Sequence, residues 1–492
     1  MPQKTDMYQN DSELLDELDR LDRISRQLEI SDSERLETIK ATADFADKFI
    51  GGLNSAKAFN KKKAENLNLN GDKSSLRDTL ELYRKEVAEN GINAASGKHL
   101  GYIPGGGIFI SAIADFIAAV TNPFAGEYFA SPGAATIENE VANWLKTIFS
   151  FPEESVGILA SGGSISTLIA FTAARDKHRV KNEKIRKSVV YLSEQTHHST
   201  HKALRIIGLE DVIIRTVPLD KQRRMNVAAL ALQTESDIAN GLTPFLIVAT
   251  AGATDTGAVD PLDAIADIAE KHKIWLHIDA AYGGFFILTS KRELFNGIER
   301  ADSVVTDPHK GMFIPYGVRG VLIKDKSAVL YSHHYNANYM QDAANEELVR
   351  SSSNLSPELT KHFRGMRVWL PLKIHGLEPF VACLEEKLLL VRYFRNKLRR
   401  LGFQLGPEPD LSISYFRYPF KSQPDERNKR LMEAIHEDGD VFLSSSVING
   451  EYVIRIAILS FRTKKETIDA AAAMISRCLK KEIECDLAAR TV

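Results

Sequence analysis

The chain has 492 residues, 44% of them hydrophobic and 26% charged, and its formal net charge is −2 at pH 7. These values are typical of globular proteins with a large core, and the near balance of charge argues against a nucleic-acid-binding protein. The three cysteines lie late in the chain without metal-ligand spacing. The sequence therefore predicts neither a disulfide framework nor a metal site.

The N-terminal sequence and the hydropathy indicate a cytoplasmic protein that does not cross a membrane. Residues 1–10 lack the basic and then apolar order of a secretory signal. The most apolar early stretch, Ile108 to Val120, contains Asp115 and is too short to span a bilayer. We therefore expect no membrane partner.

The first 95 residues are predicted to form a helical segment. Leu14, Leu18 and Leu21 fall on one face of a helix over residues 11–30. A second helical run covers residues 34–59, and a polar connection follows at 61–75. The leucine face predicts that the first helix docks on the body of the protein or on a partner subunit.

From about residue 130, short β-branched runs alternate with amphipathic segments. The predicted strands are 189–192, 212–217, 245–249, 274–278, 303–306 and 321–323. This alternation is typical of an α/β fold with a mostly parallel sheet covered on both faces. Ligands of such sheets bind beyond the carboxyl ends of the strands, so the residues that follow each strand are the functional candidates.

After residue 356 the pattern changes to that of a smaller α+β domain. Helices are predicted at 364–375 and 378–401, strands at 413–416, 441–444 and 452–458, and a closing helix from Lys465. This domain would follow a long connecting helix.

Two residues at adjacent predicted strand ends could form one site. Lys310 comes shortly after the strand at 303–306, where its amine could reach a bound aldehyde. Asp279 ends the strand at 274–278, and a carboxylate in an apolar run is costly unless a cation such as a pyridinium nitrogen meets it. The alternatives are a solvated lysine and an aspartate that caps a turn.

Two further strand ends carry polar candidates. The segment Ser161-Gly162-Gly163-Ser164 precedes a helix, and its backbone is a plausible cradle for a phosphate. His197 and His198 follow another strand, where an imidazole could stack on a flat ring. No carboxylate stands at ligand spacing from these histidines, so a metal site is not predicted.

These residues lie in ordered blocks that resemble the pyridoxal-phosphate (PLP)-dependent group II amino-acid decarboxylases, which include the aromatic-amino-acid and glutamate decarboxylases. The blocks are Gly101-Tyr102-Ile103-Pro104, Ala130-Ser131-Pro132, the Ser161–Ser164 segment, Ser193 to Ser199, His277 to Gly284, Asp307 to Lys310, Phe363 to Trp369 and Arg455 to Ser460. The resemblance runs from about Gly97 to Phe461.

The resemblance implies PLP fold type I, with a large PLP-binding domain at 96–370, a small C-terminal domain at 371–492 and an N-terminal segment that clasps the other subunit of a homodimer. It implies decarboxylation of an L-amino acid to its amine through an external aldimine and a quinonoid. The cofactor would be pyridoxal 5'-phosphate, and the ligand would be a small-molecule amino-acid substrate.

The resemblance also implies roles for single residues. Lys310 would form the Schiff base, Asp279 would pair with the pyridinium nitrogen and His197 would stack on the ring. The implied further contacts are Gly162, Gly163, Ser164 and His309 at the phosphate, Thr254 near the ring, and Tyr102, Ile103 and Pro104 at the substrate.

The sequence departs from the family pattern at three places. Asp307 stands where aromatic decarboxylases usually have Asn, and an anion beside a phosphate requires a balancing cation. The loop position of the proton-donating Tyr falls at Ser351-Ser352-Ser353. The candidates to replace it are His309, His197 and, if the loop folds differently, Tyr335 or Tyr339; the alternative is another fate of the carbanion. Ile103 and Gly105 replace an aromatic residue and a hydroxyl, so the substrate is left open.

Other functions are compatible with parts of the sequence. They are a different PLP reaction (carbon–carbon cleavage of a phosphorylated amino alcohol, transamination or aldehyde-forming oxidative decarboxylation), a catalytically silent regulatory relative, and a nicotinamide dehydrogenase. The chain lacks the GxGxxG turn that the last of these requires. Arg455 is a candidate for binding a substrate carboxylate or for a buried structural ion pair.

Overall fold

The computed structural model describes residues 11–65, 67–69, 71, 73–335 and 348–490, with side chains as far as residue 484. The chain divides into two compact units. The first comprises Met1–Ala56 and Asn60–Gly91, and the second Lys57–Phe59 and Ile92–Val492.

The N-terminal region is helical, as predicted. Its elements are α1 (Asp11–Ser25), α2 (Asp32–Gly52) and α3 (Leu76–Tyr83), with the two-residue strands β1 (Phe59–Asn60) and β2 (Gly91–Ile92). A capping box begins α2, because the Ser31 hydroxyl accepts the N–H of Glu34 and the Glu34 carboxylate accepts the N–H of Ser31. The helix predicted over 34–59 thus begins slightly earlier, at Asp32, and it ends at Gly52.

A seven-stranded sheet forms the centre of the second unit. Its strands are β3 (Val156–Ala160), β4 (Ser188–Ser193), β5 (Ile213–Val217), β6 (Thr243–Thr250), β7 (Trp275–Asp279), β8 (Ser303–Thr306) and β9 (Arg319–Ile323). Their order is β3-β9-β8-β7-β6-β4-β5. The five strands from β4 to β8 pair in parallel, whereas β9 is antiparallel to both β3 and β8. The predicted mostly parallel sheet is confirmed.

Helices cover both faces of this sheet, and the strand β4 shows why. Val189 and Tyr191 pack in one apolar core cluster, while Val190 and Leu192 pack in another. Successive side chains of a strand point to opposite faces, so both faces are buried and the strand is apolar throughout. The helices that precede or connect these strands are α4 (Phe109–Thr121), α5 (Pro132–Ile148), α6 (Gly163–Lys177), α7 (Ser199–Ile206), α8 (Val227–Ala239), α9 (Leu262–His272), α10 (Pro308–Gly311) and α11 (Lys326–His333).

The C-terminal part contains a smaller antiparallel sheet of order β10-β11-β13-β12. Its elements are α12 (Gly365–His375), α13 (Glu378–Arg400), β10 (Gln404–Leu405), β11 (Ile413–Arg417), α14 (Pro424–Asp438), β12 (Ser444–Ile448), β13 (Glu451–Ala457) and α15 (Lys465–Arg490). The predicted small α+β region is confirmed, although the strand expected at 441–444 begins only at Ser444. Among the described helices, none combines the length and the apolar character of a membrane span.

Candidate active site

The carboxyl ends of three neighbouring strands bring the acidic and lysine candidates to one edge of the sheet. Asp279 is the last residue of β7 and pairs in register with Thr250 of β6 and Val305 of β8. Asp307 follows β8 directly, and Pro308 then begins the one-turn helix α10, which carries Lys310. A proline fits the first turn of a helix, so the chain turns sharply at the sheet edge and keeps Lys310 there.

Lys310 and a buried arginine flank Asp307. The Nζ atom of Lys310 lies 2.9 Å from one carboxylate oxygen of Asp307, and Nε of Arg319 lies 3.0 Å from the other. Arg319 is the first residue of β9 and only 4% exposed. Because β9 is antiparallel to β8, its first residue lies at the edge where the parallel strands end.

These cations decide the charge of Asp307. Burial alone would raise the pKa of the Asp307 carboxyl, but the charges of Arg319, Lys310 and His309 lower it to about 2. Asp307 is therefore ionised at neutral pH. The balancing cation that an aspartate requires at this position is thus supplied chiefly by Arg319, which the sequence reasoning did not single out.

Asp279 keeps one carboxylate oxygen for another partner. Its Oδ1 atom accepts the N–H of Ala281 at 3.1 Å and a guanidinium N–H of Arg319 at 3.3 Å. Among the described residues, Oδ2 takes part in no hydrogen bond. A buried carboxylate that is fixed through one oxygen presents the other to a cation.

His197 is electrostatically coupled to this group. Burial lowers its pKa below the ordinary value; the charge of Asp279 acts in the opposite direction, and the charges of His198 and Lys310 add to the lowering. Its Nδ1 atom accepts the backbone N–H of Ser199 at 3.2 Å and lies 2.8 Å from the Ser199 hydroxyl. Because a backbone N–H only donates, the neutral ring carries its proton on Nε2.

His309 and His198 differ from His197 in their surroundings. Nδ1 of His309 donates to the carbonyl of Val318 at 2.8 Å, and its Nε2 lies 3.6 Å from Asp307. Burial lowers the pKa of His309. The exposed ring of His198 lies 4.1 Å from the His197 ring, centroid to centroid.

The glycine-rich segment lies at the N-terminus of α6. Gly162 is the N-cap of this 15-residue helix and Gly163 its first residue. A Cβ atom on Gly163 would lie 2.1 Å from Nη1 of Arg319, so the absence of a side chain lets the guanidinium approach the backbone. Ser161 and Ser164 are exposed. Arg319 therefore lies between this segment and the carboxylates of Asp279 and Asp307.

Tyr102, Ile103 and Pro104, the expected substrate contacts, form with Gly105 a segment that packs against the turn carrying Lys310; we call it the substrate segment. Ile103 and Pro104 are buried, while Tyr102 is 59% exposed and lies 5.6 Å from the Phe442 ring. A Cβ on Gly105 would lie 2.0 Å from the carbonyl oxygen of His309. The glycine at 105 is thus required by this close approach, which explains why no hydroxyl-bearing side chain stands there.

Arg455 joins the substrate segment to the loop after β6. Its Nη1 donates to the Ser444 hydroxyl at 3.0 Å, and Nη2 donates to the carbonyl of Thr254. Ser444 also accepts the N–H of Tyr102 at 3.3 Å. Burial lowers the pKa of Arg455 to about 10. No ion pair of Arg455 occurs among the described residues, so the structural ion pair considered above is not found there.

The serines at the expected loop-tyrosine position are engaged elsewhere. Ser351 accepts the N–H of Tyr128 at 3.0 Å, and Ser353 donates to the carboxylate of Glu127. Tyr335 is 86% exposed, and Tyr339 lies outside the described residues. The absence of a loop tyrosine stays a prediction, and the contacts of Ser351 and Ser353 were not foreseen from the sequence.

The residues present fit a cationic ring that also bears an aldehyde and a phosphate. The free oxygen of Asp279 suits a ring N–H, Lys310 suits an aldehyde, and the start of α6 suits a phosphate. The hydroxyls of Thr250 and Thr306, at the ends of β6 and β8, are buried and have no hydrogen-bond partner among the described residues. In the part of the chain that the structure describes, no three His, Cys, Asp or Glu side chains group as metal ligands.

Comparisons with known proteins agree with this fit. The family model of the pyridoxal-dependent decarboxylase conserved domain matches residues 60–418. The chain is 34% identical over 377 residues to an aromatic-L-amino-acid decarboxylase of Bacillus atrophaeus, covering 75% of this chain and 78% of that protein. It is 28% identical over 393 residues to tryptophan decarboxylase 2 of Oryza sativa subsp. japonica, covering 76% and 79%.

Solved structures share the fold. Catharanthus roseus tryptophan decarboxylase in complex with L-tryptophan superposes with a TM-score of 0.85 at 22% identity, covering 92% of this chain and 99% of that one. Oryza sativa TDC with PLP and tryptamine superposes with a TM-score of 0.86 at 21% identity and the same coverage. The predicted fold type I is confirmed.

Proposed function

This chain belongs to the pyridoxal-dependent decarboxylase family, and from that premise we propose that it converts an aromatic L-amino acid to its amine with release of carbon dioxide. The observation that carries the proposal is the gathering of Lys310, Asp279 and His197 at one sheet edge. The relative that is 34% identical is named for aromatic substrates, which supports that class.

The cofactor would be held by residues of four strand ends. Lys310 would bind its aldehyde carbon covalently, and Asp279 would face its ring nitrogen through Oδ2. Gly162, Gly163, Ser164 and His309 would lie around its phosphate, with Thr254 near the ring. Bound PLP supplies an electron sink for the pair left on Cα when carbon dioxide departs.

Asp279 would hold the proton on the ring nitrogen. Its Oδ1 atom is fixed by Ala281 and Arg319, so the carboxylate cannot turn away from the ring. A carboxylate that is already oriented and partly desolvated stabilises a neighbouring cation at little reorganisation cost.

His197 would orient the substrate. Ser199 fixes its ring and leaves the Nε2–H as the free donor. A neutral imidazole in this tautomer can lie against the cofactor ring and donate a hydrogen bond to the carboxylate that is to be lost. The lowered pKa keeps it neutral at physiological pH.

The proton that completes the reaction would come from Lys310. Burial lowers the pKa of both His197 and His309, so neither imidazole carries an additional proton to give at neutral pH. Nζ of Lys310 lies 2.9 Å from the Asp307 carboxylate, and it would take up the proton that the ammonium group of the substrate gives up on binding. Nζ would then pass this proton to Cα, where the bond to the carboxylate is broken, and would be left as the neutral amine that attachment of the aldehyde requires.

Product analysis tests the proposal. Purified protein loaded with PLP would be given L-tyrosine, L-tryptophan, L-phenylalanine and L-glutamate, and carbon dioxide, amine, aldehyde and hydrogen peroxide would be measured. We expect equal amounts of carbon dioxide and amine from an aromatic substrate. Aldehyde with hydrogen peroxide, or turnover of L-glutamate alone, would contradict it.

We also propose that the chain is a homodimer and that its second unit divides near residue 370 into a large and a small domain. The exposed leucines of α1, Leu14, Leu18 and Leu21, support a role of the N-terminal segment in subunit contact. Light scattering on the purified protein would give the subunit number, and a monomeric mass would contradict the homodimer.

A further inference from the structure

Arg319 is a buried charged side chain at this edge of the sheet to which the family resemblance assigns no role. We propose that Arg319 binds the phosphate of the cofactor and neutralises Asp307, which makes it an additional cofactor-binding residue. The inference rests on the proposed function, because it presumes that PLP binds here.

The three nitrogens of the guanidinium face three different parts of the site. Nε lies 3.0 Å from Asp307, and Nη2 lies 3.3 Å from Asp279. Nη1 points to Gly163, since a Cβ there would be 2.1 Å from it. Arg319 thus connects the carboxylate beside Lys310, the carboxylate expected at the ring nitrogen and the start of α6.

Nη1 and Nε both have open donors. Among the described residues neither nitrogen forms a hydrogen bond, although Nε lies 3.0 Å from Asp307 and the Arg319 side chain is 4% exposed. A guanidinium N–H of a buried side chain without an acceptor is costly. The phosphate of PLP, placed at the N-terminus of α6, would supply an acceptor in a charge-assisted hydrogen bond.

The charges at the site support the same role. Asp307 is ionised, with its pKa lowered to about 2, and a second anion beside it would be repelled. The amine of Lys310 is committed to the aldehyde when the cofactor is bound. Arg319 is then the fixed cation that lets an aspartate and a phosphate share this edge of the sheet.

Cofactor affinity tests the proposal without any measurement of activity. Apoprotein would be titrated with PLP and with pyridoxal, which lacks the phosphate, by absorbance, and inorganic phosphate would serve as competitor. We expect Arg319→Gln to weaken PLP binding by about 10- to 100-fold and to leave pyridoxal binding within about threefold of wild type. Competition by phosphate should be lost as well.

A variant of Asp307 tests whether Arg319 neutralises this carboxylate. Asp307→Asn alone should change PLP affinity little, and the double variant Arg319→Gln with Asp307→Asn should bind PLP more tightly than Arg319→Gln alone. Equal affinities of the single and double variants would overturn this part of the proposal.

Arg395→Gln is the matched control. Arg395 is also a buried arginine, but it donates to Ser414 and pairs with Glu408 in the small sheet region. Its replacement should leave PLP affinity unchanged, and thermal unfolding of both variants reports whether they fold. If Arg319→Gln does not fold, Gly163→Ala provides the test, because the added methyl group must displace Nη1 while the arginine is retained.

The outcomes separate this proposal from the proposed function. If the wild-type protein binds no PLP, the proposed function fails. If the wild type binds PLP and Arg319→Gln binds it equally well, or loses PLP and pyridoxal to the same extent, the phosphate contact of Arg319 is refuted while the cofactor assignment stands.

Discussion

Lys310 and Asp307 form an ion pair within a single turn of chain, with 2.9 Å between Nζ and the carboxylate. Asp307 is the N-cap of α10, and Lys310, three residues later, lies on the same face of this turn. Asp307 would therefore orient the Lys310 amine before it binds the cofactor and would pair with it again whenever it is free. The following predictions test the residues around this pair.

Asp279→Asn should retain the shape of the side chain but lose its charge. We expect kcat/KM to fall by about 100- to 1,000-fold, whereas PLP affinity should fall by no more than about tenfold. Asp302→Asn is the control, since Asp302 accepts the N–H of Leu276 at the opposite edge of the sheet. Activity of Asp279→Asn near that of wild type would remove the carboxylate from the proposed mechanism.

Asp260 gives the fold a measurable pH dependence. Burial raises the pKa of this carboxyl to about 6, although it accepts the N–H groups of Met225 and Thr250. A raised pKa means that the folded state binds the proton more tightly than the unfolded state. The resulting stability is complete below about pH 4 and is lost as the pH rises through about 6.

The measurement is the thermal midpoint of wild type and Asp260→Asn from pH 4 to pH 8. The advantage of wild type over the variant should shrink between pH 4 and 6, by about 2–3 kcal/mol in the free energy of unfolding, and then stay constant. An advantage that grows with pH would show that the carboxyl is ionised throughout.

Glu138 anchors the segment before α12. Its carboxylate forms a buried ion pair with Lys361 and accepts the N–H groups of Arg364 and Gly365 at 2.9 and 3.1 Å. Glu138→Gln leaves the Lys361 ammonium buried without a counter-charge, so the free energy of unfolding should fall by about 3–5 kcal/mol. Chemical denaturation measures this, and the double variant with Lys361→Met should recover most of the loss. No recovery would mean that the ion pair is not the source of the effect.

Gly105→Ala tests the contact between the substrate segment and α10. A Cβ there would collide with the carbonyl oxygen of His309, and overpacking of this kind costs about 1–3 kcal/mol. Because the collision is with the turn that carries Lys310, we expect both thermal stability and turnover to decrease. Gly133→Ala is the matched control, since its Cβ meets no atom within 4 Å. Equal behaviour of the two variants would contradict the close approach.

Three of the residues predicted from the sequence lie at or shortly after the end of a parallel strand: Asp279 ends β7, Lys310 comes four residues after β8, and His197 comes four residues after β4. The edge of a parallel sheet brings such residues together whatever their separation along the chain. The order of the motifs along the chain supported the same residues through the family resemblance. Strand ends and motifs are both local patterns, so both can be recognised in the sequence alone.

Arg319 escaped this reasoning because β9 runs in the opposite direction. Its first residue, not its last, lies at the functional edge, and the antiparallel pairing with β8 is not visible in an apolar run. The available signal was a lone cation before Gly320 to Ile323, which requires a buried counter-charge. The edge strand β3 was not predicted for a different reason, because Gly157 interrupts its apolar run.

The attachment of the cofactor to Lys310 is the central claim, and mass spectrometry tests it most directly. The PLP-loaded protein would be reduced with borohydride and digested, and the peptide that carries the added pyridoxyl phosphate would be sequenced. We predict the adduct on Lys310 alone and its absence from Lys310→Ala. An adduct on another lysine of the wild-type protein, or one that persists in Lys310→Ala, would contradict the account.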